Sequence, residues 1–235
     1  MRNQTNTQTL RASYILRRLR SLGSRRNREG MARFGITSKK VFGVGATPLR
    51  TLAKRIGKNN ALAGRLWKSG YLEARILASL IDDPAKVTPA QMDRWVKDFD
   101  NWAVCDACCG VLFDKTPFAV KKAFQWSRDK REFVRRAGFV MMAELAVHDK
   151  EASDGVFERF FPSLRRGCTD NRNYVRKAVN WAVRQIGKRN TSLNRKAIHL
   201  AREMHSVDTS SSRWIAADAL RELTSSSVRK RLAKK

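Results

Sequence analysis

The chain has 235 residues, enough for one large domain or an extended array of repeats. Hydrophobic residues make up 42% of it and charged residues 30%, which excludes a disordered tail, and no apolar run approaches the roughly 20 residues of a membrane-spanning helix. Forty-nine Lys and Arg against 21 Asp and Glu give a net charge of +28, and that self-repulsion is relieved by a polyanionic partner. Nucleic acid fits this better than a membrane, because no terminal helix pairs an unbroken apolar face with a basic one.

Read in chain order, residues 1–14 are polar, lack the apolar core of a signal peptide, and are expected to form a flexible basic extension. Residues 15–225 are expected to form one helical domain, followed by a basic tail over 226–235. Each end reads either as a loose nucleic-acid arm or as a frayed, solvated terminus. Apolar periodicity predicts helices over 10–22, 25–35, 47–57, 60–69, 71–82, 88–98, 101–113 and 117–127. It continues with 131–147, 152–166, 171–188, 192–204, 210–223 and 225–233, and no hairpin turn or alternating strand interrupts the series. Thr47-Pro48, Thr88-Pro89 and Thr116-Pro117 each read as an N-cap followed by proline in the first helical position, and Gln91 completes a possible capping box with Thr88.

The helices pair, and the second members of several pairs look alike. Glu73-Ala74-Arg75, Val134-Arg135-Arg136, Val175-Arg176-Lys177 and Ser212-Arg213-Trp214 occupy corresponding places, with 41 residues from Arg135 to Arg176 and 37 from Arg176 to Arg213. Two-helix units of this period predict an all-α fold: HEAT-like repeats stacked into a curved solenoid with a basic concave face. Arginines recurring at matching positions, Arg135 and Arg213 among them, are expected to form a cationic stripe along that face.

Two helices carry residues out of place. In 101–113 the core stripe is Val104, Cys108, Val111 and Leu112, with Cys105 and Ala107 at its margins, whereas Trp102 and Asp106 share the opposite side. A carboxylate on the binding face of so cationic a chain weakens phosphate contact, so it either stabilises a cation there or is an ordinary surface Asp paired with a nearby Lys or Arg. In 171–188 the stripe is Val175, Ala178, Val179, Ala182, Val183 and Ile186, and Trp181 falls instead among Lys177, Arg184 and Lys188. Either nucleic acid or a neighbouring repeat covers that indole. Cys105, Cys108 and Cys109 lack the second ligand pair of a zinc site and read as core. With Cys168 they suit a reducing cytoplasm rather than a disulfide framework, so a cytoplasmic, nucleoid-associated location is expected. His148, His199 and His205 are scattered, and no phosphate-binding glycine loop occurs.

Several stretches resemble the AlkD family of DNA alkylation repair proteins. They are Met31 to Ile36, Phe42-Gly43-Val44 leading into Thr47 to Lys54, Leu66-Trp67, Glu73 to Arg75, Trp102 to Asp106, Phe133 to Ala137 and Val175 to Trp181, in order over about residues 15–225. The resemblance implies a HEAT-like superhelix acting as a glycosylase on N3- and N7-alkylated purines in duplex DNA, with neither metal nor cofactor and without flipping the base into a pocket. It implies that Asp106 is the catalytic carboxylate, that Trp102 and Trp181 are the cleft tryptophans and that Arg136 is the cleft arginine. Ala103 departs from the pattern, standing where an acidic residue is expected. The chemistry agrees: a cationic purine leaves without a general acid, and what remains is an oxocarbenium-like sugar for a carboxylate to stabilise. Arg50, Arg135, Arg136, Lys177, Arg184, Lys188 and Arg213 are the expected DNA contacts of a monomer. The alternative is a non-catalytic HEAT-like module that binds damaged or branched DNA, or RNA; a protein-interaction scaffold is opposed by the charge.

Overall fold

A computed structural model describes residues 11–234. Residues 1–10, most of the expected N-terminal extension, lie outside the described residues, and 12–14 already belong to the first helix. All regular structure among the described residues is helical. The chain divides into two compact units, one ending at Thr116 and the other beginning at Pro117.

The first unit contains α1 (Ala12–Leu22), α2 (Arg25–Arg33), α3 (Ala46–Ile56), α4 (Asn60–Lys68), α5 (Leu72–Ile81), α6 (Pro89–Lys97) and α7 (Trp102–Val111), with short 3-10 turns at Pro84–Lys86 and Phe113–Lys115. α5 is its centre, packed against α3, α4 and α7. Leu62, Leu66, Leu72, Leu77 and Ile81 are buried there, and Trp67 stacks on Trp95 with ring centroids 3.9 Å apart. Glu73 is wholly buried on α5, yet its carboxylate is satisfied by backbone alone: the N–H groups of Phe42, Gly43 and Val44 all donate to it, at 2.5–3.0 Å. Gly43 makes that loop possible. Its φ of 84° is left-handed, and a Cβ there would lie 2.3 Å from the Ser24 carbonyl oxygen.

The second unit contains α8 (Ala119–Trp126), α9 (Glu132–His148), α10 (Asp154–Glu158), α11 (Phe161–Gly167), α12 (Asn173–Gly187), α13 (Thr191–His205), α14 (Ser210–Leu223) and α15 (Ser226–Leu232). α9 lies against α8 and α12, and α12 against α13 and α14. The α8–α9 contact is close because residue 138 is glycine; a Cβ there would meet the Ser127 nitrogen at 2.2 Å. The predicted stripe of α12 is the observed core, with Val175, Ala178, Val179, Ala182, Val183 and Ile186 all fully buried. Burying a side chain such as Val or Ile contributes about 1.5–3 kcal/mol, enough to fix which face turns outward.

Four expectations need correction. The single helix expected over 152–166 is two, broken at Arg159 and Phe160, where Pro162 follows in the first turn of α11. Thr88 does cap α6, accepting from the Gln91 N–H at 3.1 Å, but the Gln91 side chain donates to Asp82 and leaves the capping box half-formed. Thr47 and Thr116 are not caps. α3 already begins at Ala46, and the Thr116 hydroxyl donates back to the Phe113 carbonyl at 2.8 Å while α8 starts three residues later. Val111 is half-buried rather than core, and Cys109 is buried in its place. The helix expected over 225–233 is present as α15, anchored by buried Val228 and Leu232.

The repeat appears in the placement of its arginines. Arg75, Arg135, Arg176 and Arg213 each occupy the fourth position of their helix, in α5, α9, α12 and α14. Three of them reach the next helix pair, which differs from the free stripe expected. Arg75 donates to the Asp98 carbonyl at 2.8 Å, Arg135 lies 3.3 Å from the Asp170 carboxylate, and Arg176 sits 5.0 Å over the Trp214 ring. Arg213, the last, pairs with Asp208 just before its own helix and stays half-exposed.

Candidate active site and nucleic-acid interface

In the first unit, α7 is fixed at its start by Asn101, whose buried side chain accepts from the N–H groups of Ala103 and Val104 at 3.0 and 3.1 Å. That cap places Trp102 in the first helical position and Asp106 one turn further on. Val104, Cys105, Cys108 and Cys109 are buried, whereas Trp102, Ala103, Asp106 and Ala107 are half-buried, so the tryptophan and the carboxylate do share one outward face. The Trp102 indole N–H donates to the Phe34 carbonyl at 2.9 Å, fixing the ring against the segment that follows α2. Ala103 lies on this same face, at the position where the family resemblance calls for an acidic residue.

The cysteines belong to the core. Burial pushes the Cys108 thiol well above its usual range, with the neighbouring Cys105, Asp82 and Asp114 adding to the effect, and burial does the same to Cys109. No group of three or more His, Cys, Asp or Glu among the described residues is arranged to hold a metal ion.

In the second unit, Trp181 is half-buried on the outward face of α12, and Lys177 on that face is exposed. Arg184 and Lys188 point the same way, but both pair with Glu222 of α14, Lys188 at 2.5 Å, and Arg184 also lies 3.7 Å from Asp218. Burial would raise the Glu222 carboxyl; the hydrogen bonds from Lys188 and Arg184 outweigh it and hold the group below the usual range. Sequence spacing on α12 alone gives no sign of Glu222, which lies 34 residues beyond Lys188.

Arg136 is only 6% exposed, and its guanidinium donates to the Tyr174 carbonyl at 2.6 Å, anchoring α9 to the first turn of α12. Arg135 joins Arg172 on Asp170, whose carboxyl is lowered because the Arg172 hydrogen bonds and the two positive charges overcome the opposing effect of burial. Arg50 is exposed on α3. Thus Trp102 and Asp106 come together within the first unit, and Trp181 and Lys177 within the second. Arg135, Arg136, Arg184 and Lys188 all have partners inside their own unit.

All-helical pairs with arginines in register define a HEAT-like repeat protein. The sequence profile of the DNA alkylation repair enzymes matches residues 15–223, and the chain belongs to that family. A solved structure, described as a new family of proteins related to the HEAT-like repeat DNA glycosylases with affinity for branched DNA structures, has the same fold. It is similar with a TM-score of 0.74 at 20% identity, over 90% of this chain and 95% of that one. Among curated proteins no match is found.

Proposed function

We propose that the protein is a DNA glycosylase that hydrolyses the N-glycosidic bond of cationic N3- and N7-alkylated purines in duplex DNA. The observation that carries this reading is the outward face of α7. There a carboxylate, Asp106, stands one turn from the half-buried indole of Trp102 in a chain of net charge +28. A surface evolved only to grip phosphate gains nothing from a carboxylate there.

The chemistry needs little else. In an N7-alkylated guanine the ring already carries the positive charge, so the N9–C1′ bond breaks with its electron pair returning to the ring, and the base leaves neutral. The charge moves to the sugar as an oxocarbenium ion. Asp106 stabilises it and orients a water, whose oxygen bonds to C1′ while its proton passes to the carboxylate or to solvent. Trp102 presents a ring face to the deoxyribose, and Trp181, within the second unit, is assigned a ring contact with the DNA strand. Lys177, Arg50 and Arg213 are assigned to phosphates.

The test is release of 7-methylguanine from methylated duplex DNA in EDTA. Asp106→Asn should slow release by about 10²–10³, the usual cost of removing one electrostatic stabiliser of a transition state. It should change DNA affinity less than about threefold, since no phosphate contact is lost. Absence of any base release from wild-type protein would overturn the enzyme reading. A second reading, a non-catalytic module for damaged or branched DNA, is favoured by two observations: the solved structure described by its affinity for branched DNA, and Ala103 in place of an acidic residue. It predicts tight binding without release.

A further inference from the structure

The first unit also holds a feature that meets the proposed glycosidic site only at Trp102. α2 buries none of its residues, and just past its end Phe34 is 76% exposed, the most exposed large hydrophobic side chain among the described residues. Met31, Phe34, Ile36 and Trp102 line a depression of about 450 Å³, within the size range of small-molecule sites. Arg26 and Arg33, both exposed, also line it. Its walls are fixed. The Trp102 indole holds the Phe34 carbonyl, the Ile36 N–H donates to the Met31 carbonyl at 3.0 Å, and Gly35 takes the left-handed turn between them at φ 76°.

We propose that this depression receives one unstacked, neutral nucleobase of a bound DNA strand, with its ring on Phe34 and its flanking phosphates on Arg26 and Arg33. An exposed aromatic side chain in a depression that two arginines also line suits a partner that is flat, apolar and polyanionic at once. The lining also decides which base. It contains no carboxylate to favour a cationic alkylated purine, so the occupant is an undamaged base, such as one that has lost its pairing partner. The site therefore differs in ligand from the carboxylate face of α7. It rests on the DNA-binding part of the proposed function and not on catalysis.

Gly30 supplies a clean test. It lines the depression, and a Cβ added there meets nothing within 4 Å, so Gly30→Leu puts a side chain into open space at the site while also favouring helix in α2. The full chain is titrated with two fluorescent duplexes, one fully paired and one carrying a single unpaired 2-aminopurine. Wild type should prefer the second by roughly tenfold and quench its emission, as stacking on one aromatic allows. In Gly30→Leu and in Phe34→Ala the affinity ratio should fall to about one and the quenching should disappear, while Phe34→Trp restores both. Circular dichroism confirms that each variant is folded. Equal affinities in wild type, or a preference that survives Gly30→Leu, overturn the proposal. A wild-type dimer that Gly30→Leu dissociates also overturns it, because the occupant is then a second copy of the chain. Failure to bind either duplex overturns the DNA reading itself.

Discussion

Arginine is deployed differently on α2 of the first unit and between the helices of the second. In the first, Arg26, Arg28 and Arg33 stand on a helix that buries nothing, and all three are exposed. In the second, Arg135, Arg136, Arg172, Arg184 and Arg189 are directed inward or sideways, onto carboxylates and carbonyl oxygens. Arg189 is the extreme case: it caps the carbonyls of Ala146, Asp149 and Ala152 and lies 3.9 Å from the centroid of Phe157, with burial lowering its pKa. A charge of +28 is therefore not +28 of binding potential. Part of it joins repeat to repeat, and part faces outward.

Three substitutions test this division. The largest effect is expected at Arg136. Arg136→Ala removes a buried donor and leaves the Tyr174 carbonyl without it, which should cost about 3 kcal/mol of unfolding free energy, read by urea denaturation. Loss of DNA affinity with unchanged stability would mean that this arginine acts on the ligand after all.

Next comes Glu222→Gln. Its pair with Lys188 and Arg184 should contribute about 1 kcal/mol, given its partial exposure. Because the folded-state pKa is lowered, that contribution is fully present above the unfolded value of about 4.3. It is lost as pH falls through the lower folded value, so wild type and variant should converge in acid. At neutral pH the same substitution removes one negative charge beside Lys188 and Arg184, and the salt dependence of DNA binding should steepen by about one phosphate equivalent. An unchanged salt slope would show that these two side chains do not face DNA.

The smallest effect is expected from Arg33→Gln in the first unit. Stability should move by less than about 0.5 kcal/mol, while the salt slope becomes shallower by about one. If instead the protein is destabilised with no change in slope, the contrast between the units collapses.

Much of the fold was legible because its punctuation is local. Asn59, Asn101 and Asn190 cap their helices from within the chain segment itself, and Gly57 ends α3 by a left-handed turn. Helical phase likewise placed Trp102 with Asp106, and Trp181 with Lys177, on outward faces. What spacing along a helix does not carry is contact between distant segments. Phe34 and Trp102 are 68 residues apart, and Arg184 and Glu222 are 38 apart. The Thr-Pro pairs at 47 and 116 misled for a related reason. A hydroxyl has several backbone partners within reach, and at Thr116 the Phe113 carbonyl won.

The buried carboxylate of Glu73 carries one further consequence. It gathers the amides of three loop residues, Phe42 to Val44, onto the central helix of the first unit, whereas the neighbouring α2 contributes nothing to any core. Those loop amides should exchange their hydrogens with solvent only when the unit unfolds, and α2 should exchange by local opening. A segment without regular structure is then held more firmly than the start of the helix beside it. Arg26 can follow an uneven strand while Phe34, tied through its carbonyl to Trp102, keeps its place beside the helix that holds Asp106.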